Sequence, residues 1–338
     1  MAPRLPATLK LAELKNLAVA CGLPSAGTKD VLASRVESAA WGHQRDAIPV
    51  NKQRILSVDL GIRNLAFSLL TPGAAAQPGR GARSPPRVGV EVWKRVALAS
   101  SGQDALPDAD KDFWGPSSMA DLTARLVHDE FLALSPTHIL IERQRFRSGG
   151  RAAVQEWTLR VNTLEAMIYA TLGTLGRLHH WRGTIHSIAP ARVGPFWLEG
   201  LEDDAAETKT SKATSPRARK LETVSDADGV ADPKVKESKS AKSAKARNKK
   251  AKIDLVGKWL VEDRIETTGE AETTAKSYLH RWKGGRRNKT VAAAEDVAEH
   301  FNKLDDLADS LLQGLAWVKW QENQQLLAQN GPDELLGK

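Results

Sequence analysis

Carboxylates stand at the ends of several apolar segments of this sequence. Asp59 follows the mostly apolar run at 55–58, and Glu142 follows a second run at 139–141. On a leucine-rich segment near the end of the chain, Asp305, Asp306 and Asp309 lie three and four residues apart. Residues with this spacing share one face of a helix, with Cβ atoms roughly 5–6 Å apart, so Asp309 pairs with either of the other two.

This set of acids favours chemistry that depends on divalent cations. Carboxylates held close together repel one another, and bound cations remove that penalty. Mg²⁺ takes hard oxygen ligands, and two Mg²⁺ ions about 3.5–4 Å apart can stabilise the attacking and the leaving oxygen of a phosphodiester displacement. One acid alone would more often form a turn or a helix cap, so the hypothesis depends on all of the acids together.

The segments that carry these acids have the pattern of an α/β sheet. Apolar runs predict a buried strand before Asp59, a turn at Gly61 and two further strands at 65–70 and 88–96. Helices and strands then alternate, with predicted ranges 117–134, 137–141, 151–176, 184–189, 253–263 and 291–320. We therefore predict an α/β fold with a mixed sheet, in which an antiparallel three-strand meander is joined by parallel strands and flanked by helices. This order of elements resembles that of the RNase H-like fold.

The N-terminal residues 9–37 predict a small helical hairpin that precedes this sheet. An apolar leucine stripe marks the first helix, and Gly22 ends it. The segment resembles a SAP motif, a short DNA-binding hairpin, and the resemblance implies phosphate contacts from Thr28, Lys29 and Arg35. The alternative is a hairpin that docks on the main domain.

Positive charge is concentrated in one segment of the chain. The net charge is +8 and the pI is about 9.5. Residues 208–252 hold 14 Lys and Arg against 5 Asp and Glu, so the rest of the chain carries about −1. The range 201–252 has no aromatic residue, and we predict a disordered basic insertion there. It either raises DNA affinity as a basic arm or is a solvated loop with no specific role.

Composition also restricts the compartment in which the protein acts. The single cysteine, Cys21, excludes an intramolecular disulfide framework and fits a reducing environment. The first thirty residues lack the apolar core and cleavage site of a secretory signal. No apolar run approaches the length that spans a bilayer, so we expect no membrane association.

Three segments resemble the motifs of a known family. They are SVDLGIRNLAF at 57–67, IERQRFRSGGR at 141–151 and KLDDLADSLLQG at 303–314. All three are similar to motifs of the fungal mitochondrial Holliday-junction resolvases, which are relatives of the bacterial RuvC resolvases within the RNase H-like nucleases. The resemblance covers about 54–320 apart from the insertion, and it implies a mitochondrial endonuclease that resolves four-way DNA junctions by paired cuts.

The same resemblance implies a metal site with a definite set of ligands. Two Mg²⁺ ions per site, replaceable by Mn²⁺, would be held by the catalytic acids Asp59, Glu142 and Asp309. The fourth ligand stays open: the spacing of the bacterial relatives selects Asp306, whereas a four-residue spacing selects Asp305.

Basic side chains are expected to bind branched DNA beside these acids. Arginine forks match the geometry of phosphate oxygens. Two basic clusters provide the candidates, which are Arg143, Arg145, Arg147, Arg151, Arg286, Arg287 and Lys289. Phe146 or Trp282 would either stack on an unpaired base or serve only in packing.

A four-way junction has near two-fold symmetry, and a C2 homodimer would present two identical sites to it. The predicted helix at 151–176 offers an apolar stripe for this dimer. The alternative is that the stripe packs inside the monomer. Its members are Trp157, Val161, Leu164, Ile168 and Leu172.

These expectations divide the chain into four parts: a SAP-like motif at 1–40, a linker at 41–53, a nuclease domain at 54–325 and a tail at 326–338. Two other functions remain alternatives. One is cleavage of RNA–DNA hybrids with the same fold and metals, and the other is a non-catalytic, architectural role in junction binding. A hybrid nuclease would need contacts to 2′-hydroxyl groups rather than symmetric dimerisation.

Overall fold

The computed structural model describes residues 5–43, 48–49, 52–62, 64–73, 83, 85–98, 114–144, 156–198, 239–284 and 304–338. Helices α1 (Leu11–Ala20) and α2 (Lys29–His43) form the N-terminal hairpin. The elements that follow, in chain order, are β1 (Ile55–Asp59), β2 (Leu65–Pro72), β3 (Val88–Val96), α3 (Pro116–Arg125), β4 (His138–Glu142), α4 (Glu156–Arg177), β5 (Thr184–Ile188), α5 (Pro190–Leu198), α6 (Lys239–Val261), β6 (Glu266–Thr267), α7 (Glu270–Trp282), α8 (Leu304–Asn330) and α9 (Asp333–Leu336).

The six described strands form one mixed sheet in the order β5-β4-β1-β2-β3-β6. β1, β2 and β3 pair antiparallel, while β4 runs parallel to β1 and β5 runs parallel to β4. This arrangement confirms the predicted meander with added parallel strands. The carboxyl ends of β1, β4 and β5 therefore meet at one edge of the sheet, where the first two acids lie.

Helices cover both faces of the sheet because its strands alternate their side chains between two cores. Ile55 faces one hydrophobic cluster, whereas Leu56 and Val58 face the other. The first cluster is closed by α5, α6, α7 and α8, and the second by α3 and α4. Among the described residues, no helix combines the length and apolarity that crossing a membrane requires.

The stripe considered for dimerisation packs inside the monomer along most of its length. Val161, Leu164, Ile168 and Leu172 of α4 are each at most 5% exposed and belong to the second hydrophobic cluster. Trp157, in contrast, is 53% exposed. The alternative of packing within the monomer is therefore confirmed for four of the five residues, and they cannot form a dimer surface.

The N-terminal hairpin docks on the second half of α8. Leu327 of α8 lies in the hydrophobic cluster of the hairpin, and Leu335 and Leu336 of α9 pack against it. The alternative that the hairpin docks on the main domain is thus confirmed, and this docking does not decide whether the hairpin also binds DNA. The residues at 326–338, expected to be a tail, instead complete α8 and form α9 against the hairpin.

Polar side chains of the main domain satisfy the carbonyl groups at the end of α1. Asn323 donates to the Ala20 carbonyl at 2.7 Å, and Gln324 donates to the Cys21 carbonyl at 2.9 Å. The last carbonyls of a helix have no partner within the helix, so these bonds satisfy groups that docking would otherwise bury unpaired. The hairpin is consequently fixed in orientation as well as in position.

Gly22 allows the close approach of the hairpin to α8. Its φ is +69°, in the left-handed region, and a Cβ placed there would lie 2.2 Å from Trp320 Cδ2. Only glycine fits both the turn after α1 and the indole ring packed against it.

The interior of the hairpin also shields its only cysteine. Cys21 is 1% exposed, and burial raises the pKa of its thiol to about 12. Because the thiolate is the reactive form, we expect no labelling by a maleimide in the native protein and one label per chain in denaturant. Mass spectrometry of labelled protein measures this directly. Rapid labelling under native conditions would mean that the hairpin undocks readily from α8.

Two parts of the sequence-based prediction were wrong. Residues 239–252, expected to be disordered, form the first half of α6, and α7 with β6 was not predicted at all. α6 forms because its alanines and lysines are good helix formers and its end is anchored in the core by Val256 and Trp259. The apolar pattern did not predict α7 because the buried residues of this helix are mostly small or polar. They are Ala271, Thr274, Ala275 and Tyr278. Residues 201–238 of the predicted insertion lie outside the described part of the chain.

Candidate active site

Two adjacent parallel strands bring Asp59 and Glu142 together. β1 and β4 pair in register up to Val58 and Ile141, so the next residue on each strand is an acid. The ends of β1 and β4 therefore present two carboxyl groups side by side, and burial and the interaction between these groups raise the pKa of Asp59.

Burial and the acids that lie close together at this edge of the sheet raise the pKa of Asp59. Burial, then the hydrogen bond from Glu142 and the charge of Glu142, raise the pKa of Asp59 well above its usual range. The charges of Asp309 and Asp306 raise this pKa further. Asp306 and Asp309 of α8 therefore lie close enough to act on Asp59, so four of the five predicted acids lie near one another.

α8 reaches this position because the helix is attached to the strands beneath it. The buried amide of Gln313 donates to Ser57 Oγ at 3.1 Å and to the Val58 carbonyl at 3.2 Å. At Gly314 a Cβ would lie only 2.4 Å from Leu70 Cδ1, so the helix and the sheet approach more closely than a side chain would permit. Gln313 follows Asp309 by one helical turn, so its bonds to β1 fix the height of Asp309 above Asp59.

Further hydrogen bonds hold the same helix from its sides. The indole N–H of Trp93 donates to the Leu307 carbonyl and that of Trp197 to the Leu312 carbonyl, both at 3.0 Å. These bonds come from β3 and from α5, on opposite sides of α8. The acids of α8 are thus placed by contacts to the sheet and to a neighbouring helix rather than by a loop.

Each of the three aspartates of α8 faces a cation supplied by another element. Lys249 and Lys252, three residues apart on α6, form ion pairs with Asp305 and Asp309. Arg95 of β3 lies with Nε 3.4 Å from Asp306 Oδ2. Burial raises the pKa of Asp309, and the charge of Lys252 acts against that rise.

Sequence reasoning missed these basic residues and Gln313. Lys249 and Lys252 fell inside the segment expected to be disordered, so they were not considered as neighbours of the acids. One signal was available: the helical pattern predicted from 253 begins directly after Lys252. Arg95 and Gln313 carried no signal of their own, because their roles depend on how β3 and α8 cross.

The donor set fits a divalent cation, although the carboxylates do not enclose one here. Among the residues that the structure describes, no three acidic, histidine or cysteine side chains converge as they would around an ion. Instead, Lys249 and Lys252 form ion pairs with two acids of α8, and burial and neighbouring acids raise the pKa of Asp59. Partly buried carboxylates whose mutual repulsion is relieved by lysines here are hard oxygen donors suited to Mg²⁺.

The predicted DNA contacts fall into two groups. Arg145, Arg147, Arg151, Arg286, Arg287 and Lys289 lie outside the described residues, as does Phe146. Arg143, directly after Glu142, has an exposed side chain beside the active-site acids. Trp282 donates to Asp254 Oδ1 at 2.9 Å and covers Gly257 of α6, so the packing alternative is confirmed for this indole.

The hairpin residues proposed to contact DNA also have roles within the hairpin. Lys29 Nζ donates to the Ala7 carbonyl at 2.9 Å, and Arg35 Nη1 donates to the Ala26 carbonyl at 2.9 Å. Thr28 is exposed just before the start of α2. All three lie on the hairpin surface, and their contacts with DNA stay a prediction.

The sheet order and the acids at its edge define an RNase H-like protein. The chain belongs to the family described as mitochondrial resolvase Ydc2 / RNA splicing MRS1, whose profile matches residues 55–327. The match begins at the first residue of β1 and runs past the acids of α8, so it includes every element that positions the site.

Curated relatives and a solved structure agree with this family. The chain is 28% identical over 316 residues to cruciform cutting endonuclease 1, mitochondrial, of Schizosaccharomyces pombe, which covers 93% of each chain. It is 24% identical over 334 residues to the Saccharomyces cerevisiae protein with the same name, covering 93% of this chain and 82% of that one. The crystal structure of the yeast mitochondrial Holliday junction resolvase Ydc2 matches with a TM-score of 0.56 at 24% identity, over 94% of this chain and 96% of that chain.

Proposed function

We propose that this chain is a structure-selective endonuclease that resolves four-way DNA junctions by paired, symmetric nicks. The observation that carries the proposal is that Asp59 and Glu142 lie on adjoining strand ends, near enough to Asp306 and Asp309 of α8 for the charges of these two acids to act on Asp59. Its relatives are named as cruciform-cutting endonucleases of mitochondria, which supports branched DNA as substrate and a mitochondrial location for this chain.

Mg²⁺ is the cofactor that this acid set suits, with two ions per site and Mn²⁺ as a substitute. When bound, such ions activate a water molecule and stabilise charge on the leaving 3′ oxygen. Asp59, Glu142 and Asp309 would hold them. The lysines of α6 would then leave the carboxylates of α8 and face the phosphates of the DNA.

Asp306 is the better candidate for the fourth ligand. Its charge acts on Asp59, whereas Asp305 acts on Asp309 and pairs with Lys249. Asp306 faces Arg95 of β3 rather than a lysine of α6. We therefore assign Asp306 to the metal site and Asp305 to the pairing of α8 with α6.

A homodimer remains part of the proposal because one junction needs two cuts. A C2 dimer would hold two copies of the acid site in the symmetry of the junction. The buried stripe of α4 is not available as its interface. Trp157 and Leu159, at the start of α4, are 53% and 48% exposed and are apolar residues of this helix that a partner subunit could reach.

The family description also names RNA splicing, so the decisive experiment compares the cleavage of DNA and RNA substrates. We expect nicks at symmetric positions in a synthetic four-way DNA junction, in Mg²⁺ but not in EDTA. A linear duplex, an RNA–DNA hybrid and a structured RNA of equal length serve as competing substrates. Denaturing gels of end-labelled strands locate the cuts.

Each other outcome points to a different function. Cleavage of the hybrid alone would identify a hybrid nuclease of the same fold. Tight junction binding without cleavage would identify an architectural protein, and preferential binding of structured RNA would place the chain with the splicing members of its family. Any of these three results would overturn junction resolution.

A further inference from the structure

Three arginines from three separate elements lead from the acid site to the N-terminal hairpin. Arg143 follows Glu142 at the end of β4, Arg192 lies in the first turn of α5, and Arg35 lies on α2. Arg192 belonged to neither of the basic clusters evident in the sequence. Its place between the other two arises only from the fold.

A series of hydrogen bonds connects the first two of these arginines. The backbone N–H of Arg143 donates to the Ile188 carbonyl at the end of β5, at 2.8 Å. The next residue, Ala189, accepts a bond from the backbone N–H of Arg192 at 2.9 Å. Arg143 and Arg192 are therefore attached to adjacent residues of the same turn.

A second series of bonds connects Arg192 with the hairpin. Arg192 Nη1 donates to the Gly22 carbonyl at 3.2 Å. Two residues further along that loop, the Pro24 carbonyl accepts a bond from Arg35 Nη1, and the Ala26 carbonyl accepts another. The loop from Gly22 to Ala26 thus holds Arg192 and Arg35 side by side.

The charges of these arginines act on one another. Burial, followed by the positive charges of Arg143 and Arg35, lowers the pKa of Arg192. Among the described residues, no carboxylate forms an ion pair with Arg192. Glu165, near Arg143, offsets part of the charge at one end only. Like charges that the fold holds together, without an acidic partner at their centre, are suited to a polyanion.

We propose that Arg143, Arg192 and Arg35 form a continuous phosphate-binding track that carries a DNA strand from the acid site to the hairpin. This inference rests on the proposed function and adds to it the path of one junction arm. Backbone carbonyls accept hydrogen bonds from Nη1 of Arg192 and of Arg35, and the other N–H groups of each guanidinium can donate to phosphate oxygens. The hairpin and the acid site would then bind one continuous DNA segment.

The salt dependence of junction binding tests the track. Each phosphate contact that is lost reduces the slope of log affinity against log salt concentration by about 0.9. We expect Arg192→Gln to lower the slope by about this amount, and Arg192→Lys to preserve it. Binding of the full chain to a four-way junction without divalent cations, between about 50 and 200 mM salt, gives the slopes.

Two matched variants separate charge from structure. Arg177→Gln removes an arginine at the end of α4. Because α4 leads into the start of β5, Arg177 lies at the opposite edge of the sheet from Asp59. This substitution should leave the slope unchanged. Asn323→Ala removes a docking bond of the hairpin without removing charge, so it should lower the melting temperature but not the slope.

The outcomes distinguish the track from the proposed function. If the wild-type chain nicks junctions in Mg²⁺ while Arg192→Gln keeps the full slope, the track is wrong and junction resolution stands. If the wild-type chain does not cleave junctions in preference to linear duplex, the proposal of junction resolution is wrong. The same slopes measured on the duplex then decide whether Arg192 contacts phosphates.

Discussion

Asp59→Asn should lower the rate of junction cleavage by about 10³-fold or more and leave junction binding intact. Asparagine keeps the size of the side chain at the end of β1 but removes the charge that would hold a cation between β1 and α8. Loss of several kcal/mol of transition-state stabilisation by a metal corresponds to a change of this size. Single-turnover cleavage and gel-shift assays on the same junction measure the two effects separately.

Asp305→Asn is the matched control for this variant. Asp305 pairs with Lys249 and is not among the main causes of the raised pKa of Asp59, so replacing Asp305 should cause a much smaller loss of cleavage. Cleavage retained by Asp59→Asn would refute the metal assignment. An equal loss in both variants would place Asp305 rather than Asp306 among the ligands.

Crowding of the acids also predicts an effect of pH on stability without metal. The pKa of Asp59 is raised in the folded protein, so the unfolded chain releases this proton at lower pH than the folded one does. The stability that protonated Asp59 contributes is fully present below the pKa that Asp59 has in the unfolded chain. It is lost as the pH rises through the pKa that Asp59 has in the folded protein. At neutral pH the metal-free Asp59→Asn variant should therefore melt at a higher temperature than the metal-free wild type.

Gly314→Val should destabilise the protein by about 3 kcal/mol, the upper part of the range for overpacking a core. A Cβ at this position would meet Leu70 Cδ1 at 2.4 Å and Ser57 Cβ at 3.0 Å, and a β-branched side chain adds two more carbons in the same space. The helix would have to rise from the sheet, and the bonds of Gln313 to β1 would lengthen with it. Urea unfolding followed by tryptophan fluorescence gives the free energy of unfolding.

Gly173→Ala tests whether the effect comes from the site or from replacing a helical glycine. Gly173 lies in an exposed part of α4, and a Cβ there would have no atom within 4 Å. Alanine in a helix is favoured over glycine by roughly 0.5–1 kcal/mol, so this variant should be slightly stabilised. If Gly314→Val unfolded no more easily than the wild type, α8 would not be fixed by its close approach to β1 and β2.

The sequence predicted the parts of the site that depend on short-range patterns. Asp59 and Glu142 were found because an apolar run ends at each of them, and a parallel pair of strands then places their ends together. Asp306 and Asp309 were found because helical spacing is regular. No short-range pattern could choose between Asp305 and Asp306, since that choice depends on the rotation of α8 about its axis.

The rest depended on contacts between residues far apart in the chain. The rotation of α8 is fixed by contacts of its own Gln313 and Gly314 with β1 and β2, and by the indoles of Trp93 in β3 and Trp197 in α5. Lys249 and Lys252 look like members of a solvated basic segment until α6 packs beside α8. Composition described that segment correctly as basic, and tertiary packing determined that its second part is a helix.

α8 is a single helix of 27 residues that holds the active-site acids at one end and the docked hairpin at the other. Asp309 and Asn323 are 14 residues apart, or about 21 Å along the axis at 1.5 Å per residue. Inserting one residue between them would turn the hairpin by about 100° about the axis relative to the acids. Substitutions between these positions can accumulate during evolution. An insertion or a deletion there would rotate the docked hairpin relative to the acids, so the length of this helix should vary far less than its sequence.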